Sequence, residues 1–210
     1  MKYQLVIFDM DGTLADSFPW FQKVLNDVAD KYGFKRTRPE DVETLRGYDA
    51  SRLLQALEVP RWKLPMIARH MRALKAQHLH EIALFPGVDR LLQHLNDRGM
   101  TLGIASSDSE DNVRRTLGPH NARLMQYYAC GASLFGKPAK FGSILKRSGV
   151  PPAQTIAIGD EPRDAEAARR AGIAFGAVSW GYATMAALAA CHPAEIFASV
   201  DEIAARLAPP

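Results

Sequence analysis

The chain has 210 residues, of which 47% are hydrophobic and 23% are charged, a composition that is typical of a globular protein and excludes disordered, collagen-like and disulfide-stabilised classes. The formal net charge is +3 and the basic residues are scattered, which argues against nucleic acid as a partner. No apolar run reaches the length of a membrane helix or a signal peptide, and the two cysteines lack metal-ligand spacing. These features predict a cytoplasmic protein with no membrane partner, and they do not indicate an oligomeric state.

Continuous apolar runs recur along the chain, and such runs are typical of strands that are covered on both faces inside a parallel sheet. The predicted strands are 5–8, 101–105, 155–158 and 173–178, with 127–129 as a weaker fifth. Helical segments separate them, including one between Gly87 and Gly99 and one that begins at Pro162. The alternation predicts an α/β fold with a doubly wound, Rossmann-like parallel sheet.

The strand pattern disappears between Ser17 and about Leu84, where helices are predicted near 17–32, 50–58 and 62–82. This length is enough for a second compact unit. We therefore predict a small all-helical domain, residues 16–84, inserted after the first strand of an α/β core formed by residues 1–15 and 85–210. The Ala-rich tail from Ala183 predicts small packed helices.

Chemically specific side chains follow the predicted strands, where ligands of open α/β sheets bind. They are Asp9 and Asp11 after the first strand, Ser106 and Ser107 after the second, Asp160 and Asp164 after a later one, and Lys137 between these last two groups. Several carboxylates that meet at one point require a cation, and carboxylate oxygens favour a hard one such as Mg²⁺. The sequence therefore predicts a divalent metal site.

This set of residues suits phosphoryl transfer. A carboxylate such as Asp9 can attack phosphorus, and a second carboxyl such as Asp11 can protonate the departing oxygen. Mg²⁺, the Lys137 ammonium and the Ser106 hydroxyl can stabilise the charge on the transferred group. Gly12 would let the backbone approach it closely.

The ordered motifs resemble those of the haloacid dehalogenase superfamily of aspartyl phosphatases, and they extend over the whole chain. They are Asp9-Met10-Asp11-Gly12-Thr13-Leu14, then Ser106, then Lys137-Pro138, then Gly159-Asp160 with Asp164. The resemblance implies that Asp9 is the nucleophile and Asp11 the general acid and base. It also implies that Mg²⁺ binds to Asp9, to the Asp11 carbonyl and to Asp160, with Asp164 supporting the metal's waters. The insertion and Trp180-Gly181-Tyr182 are similar to the phosphoglycolate phosphatase-like branch.

Substrate binding is expected from residues beside the acids and from a polar break between inserted helices. The candidates are Gly12, Thr13 and Ser107 in the core and Arg46 and Gly47 in the insertion. Three features depart from the family pattern. The segment Ala139-Lys140-Phe141 lacks the acidic or proline-containing continuation that is expected after Lys137-Pro138. Glu161 follows the first acid of the fourth motif, and Asp108 lies where a basic or amide residue is commoner, which predicts a rim less attractive to anions.

The sequence thus predicts a Mg²⁺-dependent phosphatase that hydrolyses small phosphate monoesters, phosphoglycolate-like or sugar phosphates, through an aspartyl phosphate. One alternative is a phosphoacceptor signalling module, which the long insertion and the pairing of Asp9 with Asp11 disfavour. Others are a non-catalytic binding protein of similar core fold and a phosphomutase, whose branch carries a His where this chain has Trp20 and Phe21. Asp11 favours phosphoryl over carbon–halogen chemistry, because dehalogenases of the superfamily lack that residue.

Overall fold

A computed structural model describes residues 2–131 and 136–209, and within them parallel strands form one sheet. The strands are β1 (Leu5–Phe8), β2 (Thr101–Ala105), β3 (Tyr127–Ala129), β4 (Thr155–Gly159), β5 (Ala174–Val178) and β6 (Glu195–Phe197). Their order in the sheet is β3-β2-β1-β4-β5-β6, and every neighbouring pair is parallel. The predicted doubly wound α/β fold is confirmed.

Helices cover both faces of the sheet and fill the insertion. They are α1 (Phe18–Tyr32), α2 (Val42–Arg46), α3 (Ala50–Ala56), α4 (Leu64–Gln77), α5 (Val88–Asp97), α6 (Glu110–Leu124), α7 (Lys137–Ser148), α8 (Pro162–Ala171), α9 (Met185–Ala189) and α10 (Val200–Leu207). Val6 and Phe8 pack into one apolar cluster and Leu5 and Ile7 into another on the opposite face. All four side chains are inaccessible to solvent, which explains why β1 is a continuous apolar run.

The inserted helices α1 to α4 leave and rejoin the core at one place. The Asp16 N–H donates to the Ala83 carbonyl and the Phe85 N–H donates to the Leu14 carbonyl, both at 2.9 Å. The entering and leaving segments are therefore hydrogen-bonded to each other. The division into a core and an inserted domain at residues 15/16 and 84/85 stays a prediction.

Two predicted helical regions differ from the structure. The single helix expected over 62–82 is divided, since α4 ends at Gln77 and a separate helical turn spans Leu79–Glu81. The tail contains the expected short helices α9 and α10, but Glu195–Phe197 is strand β6, which pairs with β5. No helix among residues 2–131 and 136–209 is long and apolar enough to span a membrane.

Strand β6 offers a direct test of the sheet's edge. Phe197 is fully buried, whereas its neighbour Ile196 is 40% exposed. We expect Phe197→Ala to lower the free energy of unfolding by about 3–5 kcal/mol, because it leaves a cavity in the core. Ile196→Ala, the matched control, should cost less than about 1 kcal/mol. Urea denaturation followed by circular dichroism measures both, and equal losses would contradict the assignment of this edge strand.

Candidate functional site

Three buried carboxylates meet at the carboxyl ends of two adjacent strands. Asp9 follows β1, Asp160 follows β4, and Asp164 lies in the first turn of α8. One oxygen of each carboxylate lies within 4.8 Å of the others. Oxygen ligands at this spacing can hold a divalent cation, so the cluster could bind a metal ion.

Lys137, the first residue of α7, supplies positive charge to this cluster. Its Nζ lies 2.8 Å from Asp9 Oδ2, and it also forms an ion pair with Asp164. Burial alone would lower the pKa of Lys137, but the Asp164 and Asp9 carboxylates outweigh it and raise the pKa. Burial also raises the pKa of Asp9, and Lys137 offsets only part of that increase.

Asp160 is held by neutral donors. It is fully buried, and burial together with the Glu161 and Asp9 carboxylates raises the pKa of Asp160 well above its ordinary value. Its Oδ1 accepts a hydrogen bond from the Thr13 hydroxyl at 2.8 Å, and its Oδ2 accepts one from the Tyr182 N–H at 2.7 Å. The carboxylates of the cluster therefore carry more negative charge than the Lys137 ammonium can neutralise. A divalent cation would balance this excess and suits these oxygen ligands.

Asp164 serves two purposes at once. Its Oδ2 accepts hydrogen bonds from the N–H groups of Asp160 and Glu161, both at 3.2 Å, and it forms a capping box with Glu161 at the start of α8. Glu161 itself pairs with Arg163, and its carboxylate is not part of the three-carboxylate cluster. Asp164 thus fixes the beginning of α8 while one of its oxygens faces the cluster.

Gly12 and Thr13, predicted to bind substrate, lie beside Asp160. Gly12 has a φ of +78°, and a Cβ there would overlap the Asp160 carboxylate and the Tyr182 ring. A Cβ at Gly181 would overlap Asp160 in the same way. Only residues without a side chain allow these two loops to close around the carboxylate.

Ser106 and Ser107 follow β2, which pairs with β1 on the side opposite β4. The register opposes Phe8 to Ile104, so Ser106 lies one residue beyond the position level with Asp9, at the same edge of the sheet. Ser106 is buried, and its Oγ accepts the Asp108 N–H at 3.1 Å, while Ser107 is half-buried. The Lys140 ammonium donates to the Ser106 carbonyl and so supports this turn. Burial lowers the pKa of Lys140 to about 8.

The Asp11 carboxylate contacts a lysine of the insertion that the sequence interpretation missed. Lys75 of α4 donates to Asp11 Oδ1 at 2.6 Å and lies 2.8 Å from Asp108 Oδ2. Lys75 and Asp108 are 5% and 3% exposed. Asp108 therefore pairs with a cation, which balances its charge within the protein, whereas the sequence predicted that this residue makes the rim less attractive to anions. A signal was present, since helical spacing places Lys75 on the same face as the apolar Met71.

This contact decides the charge of Asp11. Burial raises the pKa of the Asp11 carboxyl, but the Lys75 ammonium outweighs burial and the pKa is lowered overall. Burial likewise lowers the pKa of Lys75, and the Asp11 and Asp108 carboxylates more than compensate. In this arrangement Asp11 is ionised, and 26% of its side chain remains exposed to an entering ligand.

Arg46 and Gly47 of the insertion reach the loop that follows β5. The Arg46 guanidinium donates to the carbonyls of Tyr182 and Gly181 at 3.0 and 2.9 Å and to Glu43 at 2.6 Å. Three of its N–H groups are therefore engaged by the protein, and in this arrangement Arg46 links the insertion to the core. The predicted contacts of Arg46 and Gly47 with substrate stay predictions.

Lys75 should support the structure more than any exposed ion pair does. Lys75→Met leaves Asp11 and the buried Asp108 without a cation, and we expect a loss of about 3–5 kcal/mol in the free energy of unfolding. Lys23→Met removes an exposed pair with Glu81, in which Lys23 is 65% exposed, and should cost less than about 1 kcal/mol.

The double variant Lys75→Met/Asp108→Asn should recover part of the loss, because no uncompensated charge then remains at Asp108. Chemical denaturation of the four proteins measures these differences. A Lys75→Met variant no less stable than Lys23→Met would contradict the importance of the buried pair.

Comparison with known proteins gives a consistent result. Residues 6–178 match the family model for haloacid dehalogenase-like hydrolases. Over 191 residues, or 90% of each chain, the sequence is 32% identical to a phosphoglycolate phosphatase of Synechococcus elongatus. It is also 30% identical to a Drosophila melanogaster protein named "Probable pseudouridine-5'-phosphatase", over 80% of this chain and 78% of that protein.

A solved structure shares the fold. It is a haloacid dehalogenase-like family hydrolase from Streptococcus pneumoniae, with a TM-score of 0.80 and 22% sequence identity. The match covers 97% of this chain and 98% of that one. The similarity therefore extends through the insertion as well as the sheet.

Proposed function

Because this chain belongs to the haloacid dehalogenase-like hydrolases, we propose that it is a Mg²⁺-dependent phosphatase that hydrolyses small phosphate monoesters through an aspartyl phosphate on Asp9. The observation that carries the proposal is the buried cluster of Asp9, Asp160 and Asp164 with Lys137 at its side. We also propose that the enzyme acts in the cytoplasm on a small-molecule phosphate ester and does not bind nucleic acid.

Asp9, Asp160, Asp164 and the Asp11 carbonyl are the groups that would hold Mg²⁺. When bound, the cation would neutralise the carboxylates and withdraw electron density from the phosphoryl oxygens. The fit rests on the excess of buried carboxylate over ammonium charge in the cluster.

The contacts of Asp9 support its proposed role as the nucleophile. One of its oxygens accepts the Met10 N–H at 2.8 Å and the other faces Lys137 at 2.8 Å, so the carboxylate has one orientation. In the first step an Asp9 oxygen bonds to phosphorus, the ester P–O bond breaks, and Asp11 gives a proton to the departing oxygen. Lys137 and Ser106 balance the charge on the phosphoryl oxygens.

The second step regenerates Asp9. Water attacks phosphorus, Asp11 accepts a proton from that water, and the bond between Asp9 and phosphorus breaks to release phosphate. The Lys75 ammonium favours ionised Asp11, which is the form required for this step. Before the first step, Asp11 must take up a proton so that it can act as the general acid.

The nucleophile can be tested by substitution. Asp9→Asn retains the shape of the side chain but removes the attacking carboxylate, and we expect kcat to fall by about 10³-fold or more. After reaction with a ³²P-labelled monoester and acid quenching, the native enzyme should retain covalently bound ³²P, and Asp9→Asn should not. Asp201→Asn, which changes an acid that is 81% exposed, is the control. Undiminished hydrolysis by Asp9→Asn would remove Asp9 from this role.

The metal requirement has its own test. A chelator should abolish phosphate release from a panel of monoesters, and Mg²⁺ should restore it. Asp160→Asn should raise the Mg²⁺ concentration needed for half-maximal activity by about tenfold or more, because a charged ligand is lost. Mn²⁺ binding followed by electron paramagnetic resonance provides a readout that is independent of turnover. Unchanged affinity in Asp160→Asn would place the metal elsewhere.

A further inference from the structure

Helix α7 carries two lysines near its N-terminus. Lys137 and Lys140 are three residues apart, so they lie on the same face of the helix. The first turn of α7 contains no acidic residue. Positive charge near a helix N-terminus is unfavourable, because the backbone N–H groups there already present partial positive charge. The stability of α7 therefore does not explain Lys140, which lies in the segment that departs from the family pattern.

Lys140 links the loops that follow two neighbouring strands. Its ammonium donates to the carbonyl of Ser106, after β2, and to the carbonyl of Gly131, after β3, the latter at 2.8 Å. The Gly131 N–H donates to the Asp108 carbonyl at 2.7 Å. Strand β3 has only three residues at the edge of the sheet, so these contacts extend the pairing of the two segments beyond the strand ends. The cation thus holds the turn 106–108 against the segment after β3.

Ser106 is the residue of this turn that the proposed mechanism uses. Its N–H donates to the Ala129 carbonyl at 3.2 Å, and its Oγ accepts the Asp108 N–H at 3.1 Å. Its carbonyl accepts the Lys140 ammonium. Within the described part of the chain, the hydroxyl hydrogen is thus the one polar group of Ser106 without an assigned partner. Because Oγ already accepts an N–H, this hydrogen is available to a phosphoryl oxygen.

The contact between Lys140 and Ser106 is a charge-assisted hydrogen bond to a buried residue. Such bonds are stronger than those between neutral groups. Ser106 is 1% exposed, so removal of the ammonium would leave a buried carbonyl short of a donor and would favour a rearranged turn. A displacement of about 1 Å among the groups that orient a substrate can lower the rate by about 10²-fold. Lys140 can therefore affect catalysis without contact with the substrate.

We propose that Lys140 is a positioning residue for phosphoryl transfer, whose ammonium holds the Ser106 turn so that the Ser106 hydroxyl donates to the phosphoryl group. The two lysines of α7 then have separate tasks. Lys137 contacts Asp9 and Asp164 in the carboxylate cluster, whereas Lys140 acts through the turn after β2. The inference rests on the proposed phosphatase function and adds a residue to that same site.

A double-mutant cycle tests this role, because a residue that acts through the Ser106 hydroxyl loses its effect when that hydroxyl is absent. Lys140→Met retains most of the apolar stem but removes the donors and the charge. We expect it to lower kcat/KM for p-nitrophenyl phosphate, measured with Mg²⁺, by about tenfold to 10²-fold. In the Ser106→Ala background, the same change should lower kcat/KM by less than about threefold. Assays at pH 7 keep native Lys140 charged, since burial lowers its pKa only to about 8.

Lys146 provides a matched control on the same helix. It lies in the last turn of α7 and is exposed, so Lys146→Met should leave kcat/KM unchanged. Mn²⁺ binding followed by electron paramagnetic resonance gives a readout other than turnover, and its affinity in Lys140→Met should stay within about threefold of the native value, because the carboxylate cluster does not include the Ser106 turn. Melting temperatures establish that each variant is folded at the assay temperature. If Lys140→Met is not folded, Lys140→Gln, which has no charge and a shorter reach, takes its place.

The outcomes are distinct. A large loss in Lys140→Met that nearly disappears in the Ser106→Ala background, with Mn²⁺ affinity retained, supports the inference. Three results would each overturn it and leave the phosphatase function intact: a loss of less than about threefold in Lys140→Met, an equal loss in both backgrounds, or a change in Mn²⁺ affinity of more than about threefold. If the native enzyme hydrolyses no monoester in the presence of Mg²⁺, the proposed function fails and the inference fails with it.

Discussion

The charge balance among Asp9, Asp160, Asp164 and Lys137 is the constraint on which the rest of the structure depends. Buried carboxylates repel one another and lose hydration, so they persist only where donors and cations hold them. The structure supplies these from separate places, through the Lys137 ammonium, the Thr13 hydroxyl and backbone N–H groups. The strand order makes this possible, because β1 lies between β2 and β4.

The inserted helices are joined to the core loops beside this cluster by two different kinds of contact. On one side Lys75 makes a buried ion pair with Asp11 and Asp108, and on the other Arg46 donates to the carbonyls of Gly181 and Tyr182. Each contact reaches a core loop that also carries or supports a site residue. The position of the insertion and the geometry of the site are therefore linked, so that movement of the inserted helices would break contacts beside the reacting groups.

The sequence predicted most of the sheet, for a physical reason. Strands β1, β2, β4 and β5 are covered on both faces, and their continuous apolar runs could be recognised without knowledge of their neighbours. Strand β6 could not be recognised, because it has only three residues at the sheet's edge and alternates between an exposed Ile196 and a buried Phe197. Its conformation depends on pairing with β5, which is a tertiary property.

The residues of the site also divide into those that the sequence indicated and those that it did not. Asp9, Asp160 and Lys137 could be found because they stand next to strand ends or motifs that the sequence displays in order, and the resemblance to the haloacid dehalogenase superfamily is confirmed by the family match. Lys75 lies 64 residues from Asp11, and only the packing of α4 against the core brings them together. The pairing of Asp108 with Lys75 could not be predicted for the same reason, since the two residues are distant in the sequence.

The choice of substrate depends on those tertiary contacts and not on the motifs. In the proposed mechanism, residues of the motifs act only on the phosphoryl group and its counter-charges, and two relatives of this chain carry the names of phosphatases for different substrates. Between the insertion and the core lies a cavity that is walled by Phe18, Phe21 and Tyr182 and by the apolar faces of α2 and α3. Because Arg46 donates to the carbonyls of Gly181 and Tyr182, and the Tyr182 N–H donates to Asp160, the position of the inserted helices and the loop beside the carboxylate cluster together determine the shape of this cavity.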